Sequence, residues 1–164
     1  MIRRTVVLNV VGLTRSLIND NTPRLKSFLP HSVNIHAVTP AVTCTAQSTY
    51  LTGKMPSDHG IVANGWYFRD LGEIWFWRQS NQLVGSEKIW HVAKRRAPSF
   101  TCANSFWWYN MATDVDWSIT PRPVYCADGR KLPDCYSDPP ELREKFNRQF
   151  GQFPLFQFWG PGTS

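Results

Sequence analysis

Apolar and polar positions along the chain alternate in short, distinct runs, and each run predicts an element. Residues 5–11 (TVVLNVV) are almost continuously β-branched, the pattern of a strand buried on both faces of a parallel sheet, and Gly12 ends it. Residues 23–29 (PRLKSFL) predict one or two helical turns with proline in the first position. Residues 33–38 (VNIHAV) predict a second strand. A hydroxyl-rich turn follows, then a helix-length segment that ends at Gly53. Residues 65–84 (GWYFRDLGEIWFWRQSNQLV) predict a hairpin or two short strands turning through Asp70, Leu71, Gly72 and Glu73.

Further on, residues 87–96 (EKIWHVAKRR) carry Ile89, Trp90, Val92 and Ala93 at helical spacing, with Ser86 as cap and His91 turned to solvent. Pro98 stops that helix, and residues 99–103 (SFTCA) predict a buried strand. A strand, a helix and a strand in that order predict a right-handed parallel crossover. Residues 117–120 predict a short strand, and residues 121–140 an irregular, proline-rich stretch with a turn at Ala127, Asp128 and Gly129. Asp138 is expected to cap a helix that reaches Phe150 and stops at Gly151. Residues 153–159 (FPLFQFW) predict a last strand.

The 164 residues suffice for one domain with a core. No apolar run is long enough to span a membrane. Residues 1–13 have two arginines and an apolar run, but Asn9 interrupts it and no small-residue cleavage site follows, so a first strand and a cytoplasmic chain are expected. The net charge of +6 suits anionic substrates or nucleic acid, and equally a basic surface. Four cysteines without a C-x-x-C spacing argue against a zinc knuckle and suit buried thiols. Eight tryptophans are many to bury, so they read as core or as a stacking platform for a flat group. Asp114 and Asp116 invite a metal reading, with exposed loop acids as the commoner one. Arg69 and Arg78 are placed either to hold an anionic group or to stack on tryptophan.

The densest chemistry lies in residues 39–67 (TPAVTCTAQSTYLTGKMPSDHGIVANGWY). Thr43 is expected near a helix N-terminus, where free N–H groups attract anions. Its hydroxyl there is a nucleophile if its pKa is lowered, or a plain helix cap. Pro40, Thr43, Thr52 with Gly53, Pro56, His59 with Gly60 and Ile61, and Asn64 occur in that order. This series resembles the nucleophile region of the type I phosphodiesterase/nucleotide pyrophosphatase family of the alkaline phosphatase superfamily. The resemblance implies an α/β fold with a mainly parallel sheet flanked by helices. It implies Thr43 as catalytic nucleophile and metal ligand, with Asn64 and the backbone N–H of Cys44 holding a phosphoryl oxygen. It implies two divalent metal ions, zinc by family habit, and a phosphate-ester or nucleotide-like small molecule as substrate. His59 in this pattern is a turn residue.

In the resembled family the first strand ends in Asp-Gly, and that Asp binds a metal. Here Val11 precedes Gly12. Asn9, two residues earlier on the same strand face, is either a weak neutral ligand or a polar residue capping a strand end. The family's later Asp and His ligands map onto nothing in this sequence, and only five residues follow the last expected strand. The expectation is therefore residues 1–164 as the N-terminal part of a single alkaline-phosphatase-like catalytic domain, incomplete at the C-terminus and inactive alone, with a missing C-terminal part as partner. Two other classes stay open. One is a non-catalytic nucleotide or single-stranded nucleic-acid binding protein. The other is a cysteine hydrolase built on Cys44, which needs a neighbouring base.

Overall fold

The two β-branched runs of the first forty residues do not become strands. In the computed structural model, which describes residues 4–158, residues 5–10 and 33–38 form no strand, and residue 11 lies in a turn. Val6, Leu8 and Val33 are each at least 80% exposed. β-Propensity describes the fit of a side chain to a half-buried pleated surface, so without a neighbouring strand the same residues stay open. The chain divides into two units, one up to His36 and one from Ala37. Within the first, Pro23–Lys26 forms the expected short helix (α1) with proline in the first turn, between single 3-10 turns at Arg15–Leu17 and Leu29–His31.

The second unit opens with α2 (Thr43–Thr52), closed at Gly53 in the left-handed conformation (φ 63°). Its buried face is Cys44, Thr45, Gln47 and Ser48, small and polar rather than aliphatic. One turn, α3 (Pro56–His59), follows and packs against α2. The hairpin is present as β1 (Gly65–Phe68) and β2 (Glu73–Phe76), antiparallel with Trp66 opposite Trp75. After a 3-10 turn at Asn81–Leu83 comes α4 (Ile89–Arg96). Lys88, not Ser86, stands at the cap of α4. Ser86 instead donates its hydroxyl to the Asp58 carbonyl (3.2 Å). Gly85 lies so close to this turn that a Cβ there would sit 3.1 Å from the same carbonyl. His91 does not face solvent freely: Nδ1 accepts the Lys88 N–H (3.1 Å) and Nε2 meets the Asp114 carboxylate.

The sheets correct the mainly parallel expectation. β3 (Ala103–Ser105) pairs parallel with β4 (Trp117–Pro121), and β4 pairs antiparallel with β7 (Cys135–Asp138). β5 (Val124–Tyr125) and β6 (Lys131–Leu132) make a second small hairpin through the expected turn at Gly129. The architecture is a mixed α/β one with small, mostly antiparallel sheets. The expected crossover through α4 is not seen among the described residues: β3 pairs in parallel with β4, joined to it by the loop 106–116, and β1 and β2 form a separate sheet. α5 (Glu141–Phe150) forms over the expected residues, but Pro140 and not Asp138 is at its cap, Asp138 being the last residue of β7. The expected last strand is instead a helical turn, α6 (Leu155–Phe158); Trp159 falls outside the described residues. Its backbone closes Leu155 N–H to Phe153 and Gln157 N–H to Pro154, bonds that need no partner strand. Among the described residues no helix is long and apolar enough to cross a membrane.

The core is a cluster of Cys44, Ile61, Val84 and Tyr109, with Trp66, Leu83 and Trp108 packed against it. Cys44, the second residue of α2, belongs to it, so Thr43 stands next to this core.

Candidate functional site

The N-terminus of α2 is capped from a distance. Val42 stands at the local cap position and makes no side-chain cap bond. Thr43 is the first helical residue, half-buried, and so is not the cap. The cap is supplied by Asn64, whose Oδ1 accepts the N–H of Cys44 at 3.0 Å across twenty residues of sequence. This leaves the Asn64 amide nitrogen as a donor beside the helix start. Asn64 is itself fixed at the base of the hairpin, where its carbonyl accepts the Trp77 N–H (3.0 Å).

The structure thus brings together Thr43, Cys44 and Asn64. Asn9 lies in the unpaired, exposed run of the other unit. Thr43 heads a ten-residue helix whose first N–H groups and dipole favour negative charge beside its hydroxyl.

The loop from Asn64 back to α2 is set by His59, which is fully buried. Its Nδ1 accepts the Ile61 N–H (3.1 Å), which places the ring proton on Nε2. Nε2 then donates to Thr49 Oγ1 (3.0 Å), and that hydroxyl donates to the Thr45 carbonyl (3.0 Å). Burial pushes the His59 pKa below its ordinary value, against a smaller opposite effect of Asp58. The turn role expected for His59 is therefore correct, and the bonds show how it is exercised.

Cys44 turns its side chain into the core, fully buried and hydrogen-bonded to Tyr109. Burial pushes its thiol up to about 12, against a smaller lowering by Tyr109. A cysteine nucleophile needs a thiolate with an activating base, and this thiol is neutral at physiological pH. The cysteine-hydrolase reading is set aside on that ground. Thiol reagents at pH 8 are expected to leave Cys44 unmodified in the folded chain and to modify it on denaturation; mass-spectrometric mapping of the labelled peptides checks this, and rapid native labelling of Cys44 would reverse it.

A second group of residues near the site carried no sequence signal. Residues 106–112 contain three non-glycine residues in the left-handed region, Phe106, Tyr109 and Ala112 (φ 61°, 57° and 53°). Gln47 accepts the Trp108 N–H (2.8 Å), and Asn81 donates to the Tyr109 carbonyl (2.7 Å). Asn110, fully buried, donates to the carbonyls of Asn104 and Ile119 (both 3.0 Å). Backbone strain of this kind persists only where surrounding bonds over-determine it, and it clusters at functional sites. Its signal in the sequence is the run of buried amides (Gln47, Asn81, Asn110), which hydropathy treats as surface.

The remaining candidates are engaged structurally. Asp114 Oδ1 accepts the Trp90 Nε1–H (2.8 Å), and Asp116 accepts the Cys102 N–H (2.8 Å). Arg78 lies 3.8 Å from the Trp75 ring centroid, the stacking alternative. The tryptophans divide: Trp90 is core, Trp66 and Trp108 pack on the core, and Trp77 stacks on Trp108 at 4.8 Å.

The family model described as type I phosphodiesterase / nucleotide pyrophosphatase matches residues 5–163. No curated protein and no solved structure matches the chain.

Proposed function

The chain belongs to the type I phosphodiesterase/nucleotide pyrophosphatase family, and on that premise we propose that it carries the phosphoryl-binding part of a phosphodiester or pyrophosphate hydrolase. Thr43 is the nucleophile, and Asn64 with the Cys44 N–H holds a phosphoryl oxygen. The observation that carries this reading is the 3.0 Å contact between Asn64 and the Cys44 N–H beside Thr43. A bound phosphoryl oxygen would take the Cys44 N–H in place of Asn64 Oδ1, with the Asn64 amide nitrogen turned to donate to it. Donors fixed by a helix start and a hairpin base need little reorganisation to do so.

The same reading makes residues 1–164 the N-terminal part of a single alkaline-phosphatase-like domain. It is supported by the exposed β-branched runs, which are apolar surface of the kind a parallel sheet covers. Family membership suggests metal dependence, with two zinc ions as the family's habit. The donors assigned here are the Thr43 hydroxyl and the Asn9 amide, both neutral, whereas zinc sites are built from thiolate, imidazole and carboxylate. No group of three or more His, Cys, Asp or Glu among the described residues is placed to hold an ion. These residues do not fit a two-zinc centre by themselves, and the reading rests on the hydroxyl, the amide and the N–H.

A threonine hydroxyl with no activating partner is a poor nucleophile at neutral pH. The 164-residue chain alone is therefore expected to hydrolyse a bis-p-nitrophenyl phosphodiester at or near the background rate, with or without added zinc, in a colorimetric assay. Robust turnover abolished by Thr43→Ala would overturn the inactivity while keeping the nucleophile. Turnover untouched by Thr43→Ala would remove the nucleophile. Binding supplies the second arm: the diester's 31P resonance should shift on titration with the chain, and Asn64→Leu should abolish the shift.

A further inference from the structure

We propose that a cavity of about 250 Å3 beside the start of α5 is a second anion site, suited to a small phosphate-like oxyanion and separate from the Thr43 turn. Two arginines line it, Arg122 and Arg143, against a single acidic residue, Asp134. The fold holds all three firmly. Arg122 follows the end of β4, and its N–H donates to the Asp134 carbonyl (2.8 Å). Arg143 lies in the first turn of α5, and its N–H donates to Ser137 Oγ (3.1 Å). Its Nη1 donates to Asp134 Oδ1 (3.0 Å).

The charge balance favours an anion. The Asp134 carboxylate is engaged by Arg143 and by the Cys135 N–H (2.8 Å), and the Arg122 guanidinium has no hydrogen-bond partner among the described residues. One positive charge is thus left over at the cavity wall. The N-terminal end of the ten-residue α5 lies on the same side, its dipole offset by Glu141 and Glu144 in the first turn. Cys135 lines the cavity as a neutral thiol, its ionisation opposed first by burial and then by Asp134.

The donors fit an oxyanion's geometry. A planar guanidinium presents paired N–H groups that match two oxygens of one phosphate or sulfate. Arg122 offers all of its guanidinium N–H groups, and Arg143 keeps those not given by Nη1 to Asp134 and, at 3.5 Å, to the Cys135 carbonyl. Tyr136, which also lines the cavity, accepts the Ala112 N–H (3.3 Å) at its oxygen. Inorganic phosphate and a phosphomonoester share the terminal group that these donors would recognise.

Calorimetric titration of the full chain with inorganic phosphate at low ionic strength tests the proposal. Saturable binding is expected in the wild-type chain. Arg122→Gln should weaken it about tenfold or more while leaving the melting temperature without phosphate unaltered, since Arg122 is exposed and its side chain ties nothing. Arg143→Gln should weaken it as well and also lower the melting temperature, because that side chain anchors Asp134. Phenyl phosphate should compete if a monoester's terminal group is accepted; failure to compete narrows the ligand to the free ion. Absence of saturation would end the proposal, as would binding that survives Arg122→Gln. Binding lost in Thr43→Ala but kept in Arg122→Gln would assign the phosphate to the nucleophile turn instead.

Discussion

Replacing His59 with alanine is expected to cost about 3 kcal/mol of stability, measured as a shift in the urea midpoint at unchanged slope. Three effects combine. The Ile61 N–H and the Thr49 hydroxyl lose their ring partners, and a fully buried imidazole leaves a void. The loss is also pH-dependent. Burial depresses the folded-state pKa of His59 below its unfolded value of about 6.5. The unfolded chain therefore binds a proton that the folded chain refuses, and His59 stabilises fully only above that pH. Its contribution falls as pH drops below about 6.5, by up to about 1.4 kcal/mol per pH unit, until the folded-state pKa is reached. The stability gap between the wild-type chain and His59→Ala should accordingly narrow in acid. A gap that stays constant from pH 8 to pH 5 would mean that His59 takes up its proton in place, with its two bonds rearranged.

The same residue shows where sequence reasoning reaches and where it stops. The order of Pro56, His59, Gly60 and Asn64 was enough to place a turn and a returning loop, because each residue type enforces its own backbone geometry. Gly60 is left-handed at φ 78°, and Pro56 opens α3. Helix α2, the hairpin and α5 were legible for a similar reason: local signals at Gly53, at Asp70 to Glu73 and at Gly151 punctuate them. Strands outside the hairpin were legible at residues 117–120, which lie in β4, and not elsewhere. The β-branched runs at 5–11 and 33–38 state that a strand would suit them, but pairing is decided by a neighbour that may be anywhere in the chain. Conversely β7 arises from CYSD, which has no strand signal, because β4 supplies an edge for it. The distant capping of α2 by Asn64 is visible in the sequence only through the family resemblance, since a cap twenty residues away has no local spacing rule.

Asn110→Ala is the second large effect expected, about 2–3 kcal/mol, and its consequences should reach the candidate site. The Asn110 amide donates to carbonyls on both strands of the parallel pair, Asn104 on β3 and Ile119 on β4. Alanine leaves a buried polar gap there, since the Asn104 and Ile119 carbonyls both lose their amide donor. It also removes two of the bonds that hold residues 106–112 in their three left-handed conformations, each of which costs about 1 kcal/mol or more to maintain. Tyr109 precedes Asn110 directly, and its hydroxyl is the partner of the Cys44 thiol at the second residue of α2. Loosening this loop should therefore unmask Cys44. The expected signature is a lower urea midpoint together with thiol labelling of Cys44 under native conditions, where the wild-type chain resists it. Asn110→Asp should be worse than alanine, because it sets a carboxylate against two carbonyl oxygens in a buried place. A change within 0.5 kcal/mol of wild type, with Cys44 still protected, would show that the strained loop is held by Gln47 and Asn81 without Asn110. The outcome decides whether the floor beneath Thr43 is a property of α2 alone or is built jointly by the parallel strand pair and the loop between them.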